Sequence, residues 1–234
     1  EPCAYSCSGA VALRDIFGRP INDWDSVAKR AFGIVFSLVV IVVFSPVMLA
    51  TAIAIRLDSK GPVLFKQQRH GFNNEVIDVY KFRSMYTDAE ERRAALLAAN
   101  EMEGGVTFKM KDDPRITRVG KYIRRGSIDE LPQLWNVFKG EMSLVGPRPP
   151  LPTEAAVYSL EDRRRLEVVP GITCIWQVSG RSEIPFDQQV ELAVAYIESQ
   201  SMWLDMKLLF RTFPPCPPGR GPYCSVASSF SRTA

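Results

Sequence analysis

The sequence predicts an α+β chain that is mostly helical and carries one membrane helix. Three observations lead to this class: an uncharged apolar run at residues 31–55, two short segments of strand composition within residues 63–82, and several later stretches rich in helix-forming residues. The 234 residues suit one domain of ordinary size. Apolar residues make up 46% and charged residues 24%, as in globular proteins, so a wholly disordered chain is not expected.

The net charge and the cysteine pattern argue against nucleic-acid binding, a disulfide framework and a zinc site. Lys and Arg number 29 and Asp and Glu 26, and the resulting net charge of +3 is too small to predict nucleic-acid binding. The five cysteines are an odd number, and four lie in the terminal tails, so a reducing compartment is favoured over a disulfide framework. The tail pairs Cys3/Cys7 and Cys216/Cys224 lack tight zinc-binding spacing and His70 is the only histidine, so no zinc site is predicted.

The first element is the apolar run AFGIVFSLVVIVVFSPVMLATAIAI at residues 31–55. A helix of this size is about 38 Å long, which exceeds a hydrocarbon core of about 30 Å. The run is also longer than the apolar region of a cleavable signal peptide, about 7 to 15 residues. It is therefore predicted to be a membrane helix.

The flanks of this run bear on how it meets the bilayer. Lys29 and Arg30 precede it and basic residues follow it from Arg56, so both ends carry the positive charge typical of cytoplasmic segments. Pro46 removes a backbone hydrogen bond past the middle, and Ser45 can bond the freed carbonyl, so a kink is predicted there. These residues leave two arrangements open: a bent helix that re-enters the same leaflet, or a tilted spanning helix with a proline kink.

The elements after the run follow from composition and turn residues. Residues 63–68 and 76–82 are predicted strands, and the Gly- and Asn-containing stretch 71–74 is the loop of a hairpin. Helices are predicted at 87–100 with Thr87 as its cap, at 129–138, at 154–168, and at 186–213 with an interruption near 199–202.

These elements divide the chain into four parts. Residues 1–22 form an N-terminal tail, 23–60 the membrane helix with its flanks, 61–213 the main folded domain, and 214–234 a Pro-, Gly- and Ser-rich tail predicted to be disordered. In the last helix Trp203, Met206, Leu209 and Phe210 fall on one side. Such a stripe either packs in a core or lies at the membrane interface.

The densest polar segment, residues 121–135, is the predicted chemical site. It joins Arg124 and Arg125 to the adjacent acids Asp129 and Glu130 at a predicted helix start. A carboxylate at a helix N-terminus is held ionised, and in that form it can bind Mg²⁺ or attack phosphorus. Capping acids are also common, so a structural role stays open at this point.

The capping residue of that helix can be chosen from the position of its proline. Ser127 followed by Glu130 fits a capping box, but it would place Pro132 beyond the first turn, where a proline is costly. Asp129 as the cap places Pro132 within the first turn. Asp129 is therefore the predicted N-cap.

Cations suited to phosphate lie elsewhere in the chain, at Lys81, Arg83, Arg115 and Arg148. Each taken alone could equally form a surface ion pair. The sequence has neither a P-loop nor a dinucleotide-binding glycine motif, and its single His70 leaves no candidate for a Ser–His or Cys–His mechanism. The reaction that stays consistent with these residues is phosphoryl transfer centred on an aspartate, beside a membrane.

Ordered motifs between residues 23 and 213 carry a resemblance to a known family. They are SP at 45–46, GPVLFKQQR at 61–69, YKFRSM at 80–85, DPRIT at 113–117, SIDELPQLWNV at 127–137, SLVGPRP at 143–149, PGIT at 170–173, WQVSGR at 176–181 and WLDMK at 203–207. In this order they resemble the bacterial sugar transferases, monotopic polyprenyl-phosphate phosphoglycosyl transferases of exopolysaccharide, capsule and O-antigen assembly.

The resemblance implies a reaction and its catalytic residues. A sugar 1-phosphate, glucose or galactose, would pass from a UDP-sugar to undecaprenyl phosphate, giving undecaprenyl diphosphate-sugar and UMP. Asp129 would attack the β-phosphorus and carry the phospho-sugar as an ester, Glu130 would position groups or handle protons, and Mg²⁺ would bridge Asp129 and the diphosphate. The competing interpretation is a membrane-anchored scaffold or regulator of the same fold that has lost turnover.

The resemblance also implies further site residues and a location. Arg124 and Arg148 match phosphate-binding positions, and Lys81, Arg181 and Asp205 are additional substrate-site candidates. The family's helix is re-entrant with its break at Ser45 and Pro46, which favours re-entry here. The expected location is the cytoplasmic leaflet of a bacterial inner membrane with the catalytic domain in the cytoplasm, without a nucleic-acid partner; homo-oligomerisation is left open.

Overall fold

The apolar run forms one long helix in the computed structural model, which describes residues 23–96, 113–179 and 184–212. Helix α1 (Asp23–Asp58) has 36 residues and is therefore about 54 Å long. Within the described ranges it is the one helix whose length and composition suffice to cross a membrane. The predicted tails, residues 1–22 and 214–234, lie outside these ranges.

Helix α1 is continuous through the predicted break. Its helical structure includes both Ser45 and Pro46. The hydroxyl of Ser45 donates to the carbonyl of Val42 at 2.7 Å, and Val42 is the residue whose hydrogen bond Pro46 removes. The predicted Ser45 bond is thus confirmed, while the kink and the re-entry remain predictions.

Both halves of α1 pack against the rest of the described protein. Phe32 and Phe36 contact a large apolar cluster, and Met48 and Ala52 contact a smaller one that contains Ile55. Between these contacts the helix surface is apolar and open, because the largest exposed side chains include Val39, Val42, Val43, Phe44, Val47 and Leu49. The helix therefore touches the domain at both ends and exposes apolar surface in its middle.

The predicted hairpin is confirmed. Strands β1 (Leu64–His70) and β2 (Val76–Phe82) pair antiparallel, and the short 3₁₀ turn Phe72–Asn74 joins them. Asn73 has a positive φ of 51°, which Asn tolerates better than most residues. Arg69 lies opposite Ile77 and Phe65 opposite Lys81, so Arg69 and Lys81 share one face of the hairpin.

The remaining elements are short. A second, two-stranded parallel sheet pairs β3 with β4. In chain order the elements are α2 (Ala89–Leu96), α3 (Arg118–Arg125), a 3₁₀ helix (Ile128–Gln133), α4 (Leu134–Lys139), β3 (Ser143–Val145), α5 (Pro152–Ala155), α6 (Leu160–Arg163), a 3₁₀ helix (Arg164–Leu166), β4 (Gly171–Thr173), α7 (Ile175–Ser179), α8 (Phe186–Ser199) and α9 (Met202–Thr212).

The helix predictions have a mixed outcome. The interrupted helix at 186–213 is confirmed as α8 and α9, and α2 begins at Ala89, two residues after the predicted cap Thr87. The single helix predicted at 154–168 is wrong. Ser159 starts a new helix within that stretch, because its hydroxyl accepts from the Asp162 backbone N–H at 3.2 Å and the Asp162 carboxylate accepts from the Ser159 N–H at 2.8 Å.

The apolar core lies between α1, the strands and the C-terminal helices. It joins buried side chains from nearly every part of the described chain: Val79, Leu134, Val137, Met142, Leu144, Val145, Ile175, Tyr196 and Leu208. Because α4 supplies Leu134 and Val137 to this core, the residues that precede α4 are held at a fixed distance from β2.

Candidate active site

A buried asparagine fixes α4 against strand β2. Asn136 is fully buried; its side-chain oxygen accepts from the Tyr80 backbone N–H at 3.1 Å, and its amide donates to the Asp78 carbonyl at 2.7 Å and to Glu141 at 2.6 Å. A buried amide that makes all these bonds specifies one arrangement of the two elements. Since β2 continues into Lys81, Asn136 also fixes Lys81 relative to the acids just before α4.

The Asp129–Glu130 pair lies in a tight turn rather than at the end of an α-helix. Ser127 occupies the N-cap position with a left-handed backbone, φ 53° and ψ 21°, and makes no side-chain cap bond. Asp129 and Glu130 fall in the first turn of the 3₁₀ helix, so the prediction that Asp129 is the N-cap is wrong. The tighter helix accommodates Pro132, and the chain becomes α-helical only at Leu134.

Lys81 and Glu130 form the central ion pair of the site, with the Lys81 ammonium 2.9 Å from a Glu130 carboxylate oxygen. Burial alone would raise the pKa of Glu130, but Lys81, Arg148 and Arg69 together lower it. Burial also lowers the pKa of Lys81, against the attraction of Glu130. Glu130 is therefore a carboxylate at neutral pH, held by three cations.

The pKa of Asp129 is shifted in the opposite direction from that of Glu130. Burial, and next the charge of Glu130, raise its pKa to about 6, although Lys81 and Arg124 act against that rise. The sequence predicted a carboxylate held ionised by the helix N-terminus, and desolvation outweighs that effect here. Within the described residues no ion pair joins Asp129 to a cation, so it is the basic, under-compensated member of the pair.

A close backbone contact between Gly146 and Gly171 fixes the chain segment that carries Arg148. Gly146 donates to the Thr173 carbonyl and Gly171 to the Pro147 carbonyl, each at 2.9 Å. A Cβ on Gly171 would lie 2.0 Å from the Gly146 nitrogen, so this backbone contact requires a glycine there. The guanidinium of Arg148 lies over the Trp176 ring, 5.9 Å from its centre, on this rigid frame.

Arg69 is a site residue that sequence reasoning missed. It is 7% exposed and donates to the Pro149 carbonyl at 2.5 Å and to the Gln67 side chain at 2.8 and 3.0 Å. Burial and the neighbouring Arg148 lower the pKa of Arg69 to about 9, so it stays cationic at neutral pH. The predicted hairpin contained the signal, because antiparallel pairing across its loop places Arg69 on the face of Lys81.

These groups converge on one cleft. Its charged members are three cations and one carboxylate, an excess of positive charge that suits phosphate oxygens. The lining residues are Arg69, Val79, Lys81, Glu130, Gln133, Arg148, Pro149, Gly171 and Ile172. Asp129 adjoins the cleft through Glu130, so an ionisable carboxyl group stands beside a surface with excess positive charge.

The other predicted phosphate ligands have different positions. Arg124 is exposed at the end of α3, where its charge lowers the pKa of Asp129. Arg115 forms a buried ion pair with Asp113 at 2.6 Å, and Arg83 donates to the carbonyls of residues 59 and 60. Arg83 and Arg115 are therefore structural cations. Arg181 lies outside the described residues.

A family comparison matches most of the chain. The family model described as bacterial sugar transferase matches residues 24–216, which include the hairpin, the acid pair and the cleft. The chain belongs to the bacterial sugar transferase family. The family resemblance predicted from the ordered motifs is thus confirmed.

Named relatives of this family are similar over most of this chain. It is 46% identical over 187 residues to the galactosyl transferase CpsE of Streptococcus agalactiae, covering 80% of this chain and 41% of that protein. It is 44% identical over 215 residues to an undecaprenyl-phosphate glucose phosphotransferase of Komagataeibacter xylinus, covering 87% and 38%. The chain thus spans about two-fifths of the length of these relatives.

A shorter relative in the family matches along nearly its whole length. The exopolysaccharide production protein ExoY of Rhizobium meliloti is 34% identical over 208 residues, covering 88% of this chain and 91% of that protein. An aligned segment that covers 80% or more of this chain spans the positions of the acid pair and of the cleft cations.

Asp205, another predicted site residue, lies in a separate buried network. Its carboxylate forms an ion pair with Lys29 of α1 at 2.8 Å and accepts from the Tyr196 hydroxyl at 2.6 Å. The side chain of Asp205 is 6% exposed. Asp205 therefore joins the start of α1 to α8 and α9, and does not line the cleft.

We expect Asp205→Asn to destabilise the protein by about 3 kcal/mol, because it leaves the partly buried Lys29 without its counter-charge. Thermal unfolding in detergent measures the change. Arg164→Gln, which breaks the exposed pair with Glu198, is the control and should cost less than about 1 kcal/mol. Equal effects of the two substitutions would contradict a structural role for Asp205.

The acid pair also fits the divalent cation that the family resemblance implies. Among the described residues no group of three or more His, Cys, Asp or Glu side chains could hold a metal by itself. Mg²⁺, however, is commonly bound by one or two carboxylates together with substrate phosphates. The under-compensated charge of Asp129 beside Glu130 suits such a shared site, whereas Glu130 is already neutralised by Lys81.

Proposed function

We propose that this chain transfers a sugar 1-phosphate, from UDP-glucose or UDP-galactose, to undecaprenyl phosphate and releases UMP. The observation that carries the proposal is the Asp129–Glu130 pair beside a cleft with three cations, Arg69, Lys81 and Arg148. The names of relatives, an undecaprenyl-phosphate glucose phosphotransferase and an undecaprenyl-phosphate galactose phosphotransferase, support the substrate class.

The proposed first step is carried by Asp129. A carboxylate oxygen attacks the phosphorus that bears the sugar, the bond from that phosphorus to the bridging oxygen breaks, and UMP leaves with the electron pair. The product is a phospho-sugar ester of Asp129. An oxygen of the lipid phosphate then attacks the same phosphorus and displaces the Asp129 carboxylate, which restores the enzyme.

The cations of the cleft supply positioning and charge stabilisation. Phosphoryl transfer depends mainly on these two effects, because the charge is spread over the non-bridging oxygens. The backbone beside Arg148 is fixed by the glycine contact, its guanidinium lies over Trp176, and Lys81 is held by Glu130, so less ordering is needed when a diphosphate binds. Asp129 would hold Mg²⁺ together with the diphosphate, and bound Mg²⁺ supplies further neutralisation of the developing charge.

The membrane placement of α1 is the second part of the proposal: α1 enters and leaves the cytoplasmic leaflet. Its first turns contact the domain through the Arg30 guanidinium, which donates to the Phe138 carbonyl at 2.8 Å. Its last turn contacts the same domain through Asp58, which accepts from the Val119 N–H at 3.1 Å. A domain on one side of the bilayer can hold both ends only if both lie on that side, which supports re-entry.

Two experiments test these proposals. Purified protein is incubated with a panel of UDP-sugars and undecaprenyl phosphate, and UMP is followed; absence of UMP with every sugar contradicts the transferase and favours an inactive scaffold of the same fold. Reporter fusions before and after α1 test re-entry separately. Re-entry predicts that both report the cytoplasm, and reporters on opposite sides would contradict it.

The raised pKa of Asp129 predicts the pH dependence of the first step. As the pH falls through about 6, Asp129 is protonated and cannot attack, so the rate should fall about tenfold per pH unit below that value. Above it the rate should be level until another group titrates. The donor-only burst of UMP measures this step without undecaprenyl phosphate, whose own second ionisation also lies near pH 6.

A reversibility control accompanies this profile. Protein held at low pH and returned to neutral pH should regain its burst, which separates protonation from unfolding. A burst rate that stays level from about pH 5 to about pH 8 would show that Asp129 is not the titrating nucleophile.

A further inference from the structure

Helix α3 carries a charged face that the proposed reaction does not use. Three of its cations, Arg118, Lys121 and Arg125, recur at spacings of three and four residues and are all exposed. Residues at these spacings lie on one side of a helix. Tyr122, 77% exposed, belongs to the same side.

The opposite side of α3 packs against the end of the membrane helix. Ile123 is 4% exposed and shares an apolar cluster with Ile55 of α1, to which Met48 and Ala52 also pack. The carboxylate of Asp58 accepts from the Val119 N–H at 3.1 Å, which fixes the start of α3 to the last turn of α1. Helix α3 therefore lies beside the part of α1 where the uncharged run ends.

The three cations have no acidic partner in the described part of the chain. The ion pairs of that part involve other residues, and none includes Arg118, Lys121 or Arg125. Arg124 differs from them, because it lies on the flank of the helix and acts on Asp129. The outer face of α3 is thus a separate cationic surface, and it is not part of the cleft.

We propose that this outer face of α3 binds the headgroups of anionic phospholipids around the point where α1 leaves the bilayer. The inference rests on the membrane placement of α1 proposed above. Basic residues next to a membrane segment are attracted to anionic headgroups, and tyrosine is enriched at that depth. Because α3 leads directly into the turn that holds Asp129, this contact would set the height of the acid pair above the lipid phosphates.

The energetics of surface charge give the expected size of the effect. Each basic side chain near an anionic surface contributes on the order of fivefold in affinity, so three contribute up to about a hundredfold. The attraction acts over about a Debye length, roughly 8 Å at physiological salt, and should weaken as salt is added. A lipid-selective measurement is needed, because α1 alone should keep the protein in vesicles.

The test compares lipid selectivity in reconstituted vesicles. The full chain is placed in phosphatidylcholine vesicles with a trace of spin-labelled phosphatidylglycerol or spin-labelled phosphatidylcholine, and the motionally restricted fraction gives the relative association constant. We expect a preference for phosphatidylglycerol of at least about fivefold and up to about a hundredfold, which declines with salt. The variant R118Q/K121Q/R125Q should lose most of this preference.

A matched variant separates the position of the charges from their number. R92Q/R163Q/R164Q removes three cations from other helices and should keep the preference. Equal lipid affinities in the unmodified protein, or equal losses in both variants, would overturn the inference even if UMP release is normal. Failure of the chain to float with the vesicles would overturn both the inference and the membrane placement of α1.

Discussion

Asp129→Asn should lower the donor-only release of UMP by at least about a thousandfold, because an amide cannot form the phospho-sugar ester on which the first step depends. The substitution keeps the shape of the side chain and removes a charge that burial and Glu130 disfavour. The variant should therefore be at least as stable as the unmodified protein. A burst assay for UMP and thermal unfolding measure the two effects.

A trapping experiment identifies the residue that carries the sugar phosphate. Unmodified protein incubated with UDP-glucose or UDP-galactose alone should gain the mass of a sugar phosphate on the peptide that contains Asp129. Glu130→Gln is the matched control, since it changes the neighbouring acid and leaves the nucleophile. A full burst from the Asp129→Asn protein, or an adduct on another residue, would remove Asp129 from its assigned role.

The elements that were predictable from the sequence are those that local pattern determines. The uncharged run specifies α1 by its length, and the hairpin follows from two strand-like segments around a Gly- and Asn-containing loop. The interruption between α8 and α9 was likewise predictable from composition. Each of these signals lies within one short window, so no tertiary information was needed to interpret it.

The elements that were missed depend on contacts between distant segments. Helix α3 has only eight residues and is fixed by Asp58, 61 positions earlier in the chain. The parallel pairing of β3 with β4 depends on the approach of Gly146 and Gly171. Ser127 takes a left-handed backbone although it is not a glycine. None of these is visible in local hydrophobic pattern.

The sequence predicted the acidic residues of the candidate site, but it predicted only some of the cations. The order Asp129–Glu130, with Lys81 and Arg148 as phosphate ligands, followed from motifs, and the structure brings Lys81, Glu130 and Arg148 to one cleft. Arg83 and Arg115 belong to the same set of motifs, but Arg83 donates to backbone carbonyls and Arg115 forms an ion pair with Asp113. Sequence cannot separate these roles, because a buried arginine suits a phosphate and an internal acceptor equally well.

Lys81→Met is expected to lower the rate of UMP release on the order of a hundredfold, the effect of removing one preorganised charge from a transition-state site. It should also move the pH profile. Lys81 lowers the pKa of both Asp129 and Glu130, so without it both carboxyls hold their protons to higher pH. The acid limb of the profile should therefore lie above about pH 6, and raising the pH should recover part of the lost rate.

Two further variants decide whether the charge of Lys81 matters or only its packing. Lys66→Met removes an exposed lysine from the same hairpin and should leave the rate and the pH profile unchanged. Lys81→Arg keeps the charge and should retain the position of the acid limb even where the rate falls. A Lys81→Met protein with a lower rate but an unshifted acid limb would show that Lys81 supports the fold of the cleft and does not set the ionisation of Asp129. Because the burst is measured without undecaprenyl phosphate, a shift of the limb can only come from groups of the enzyme or its complex with the donor.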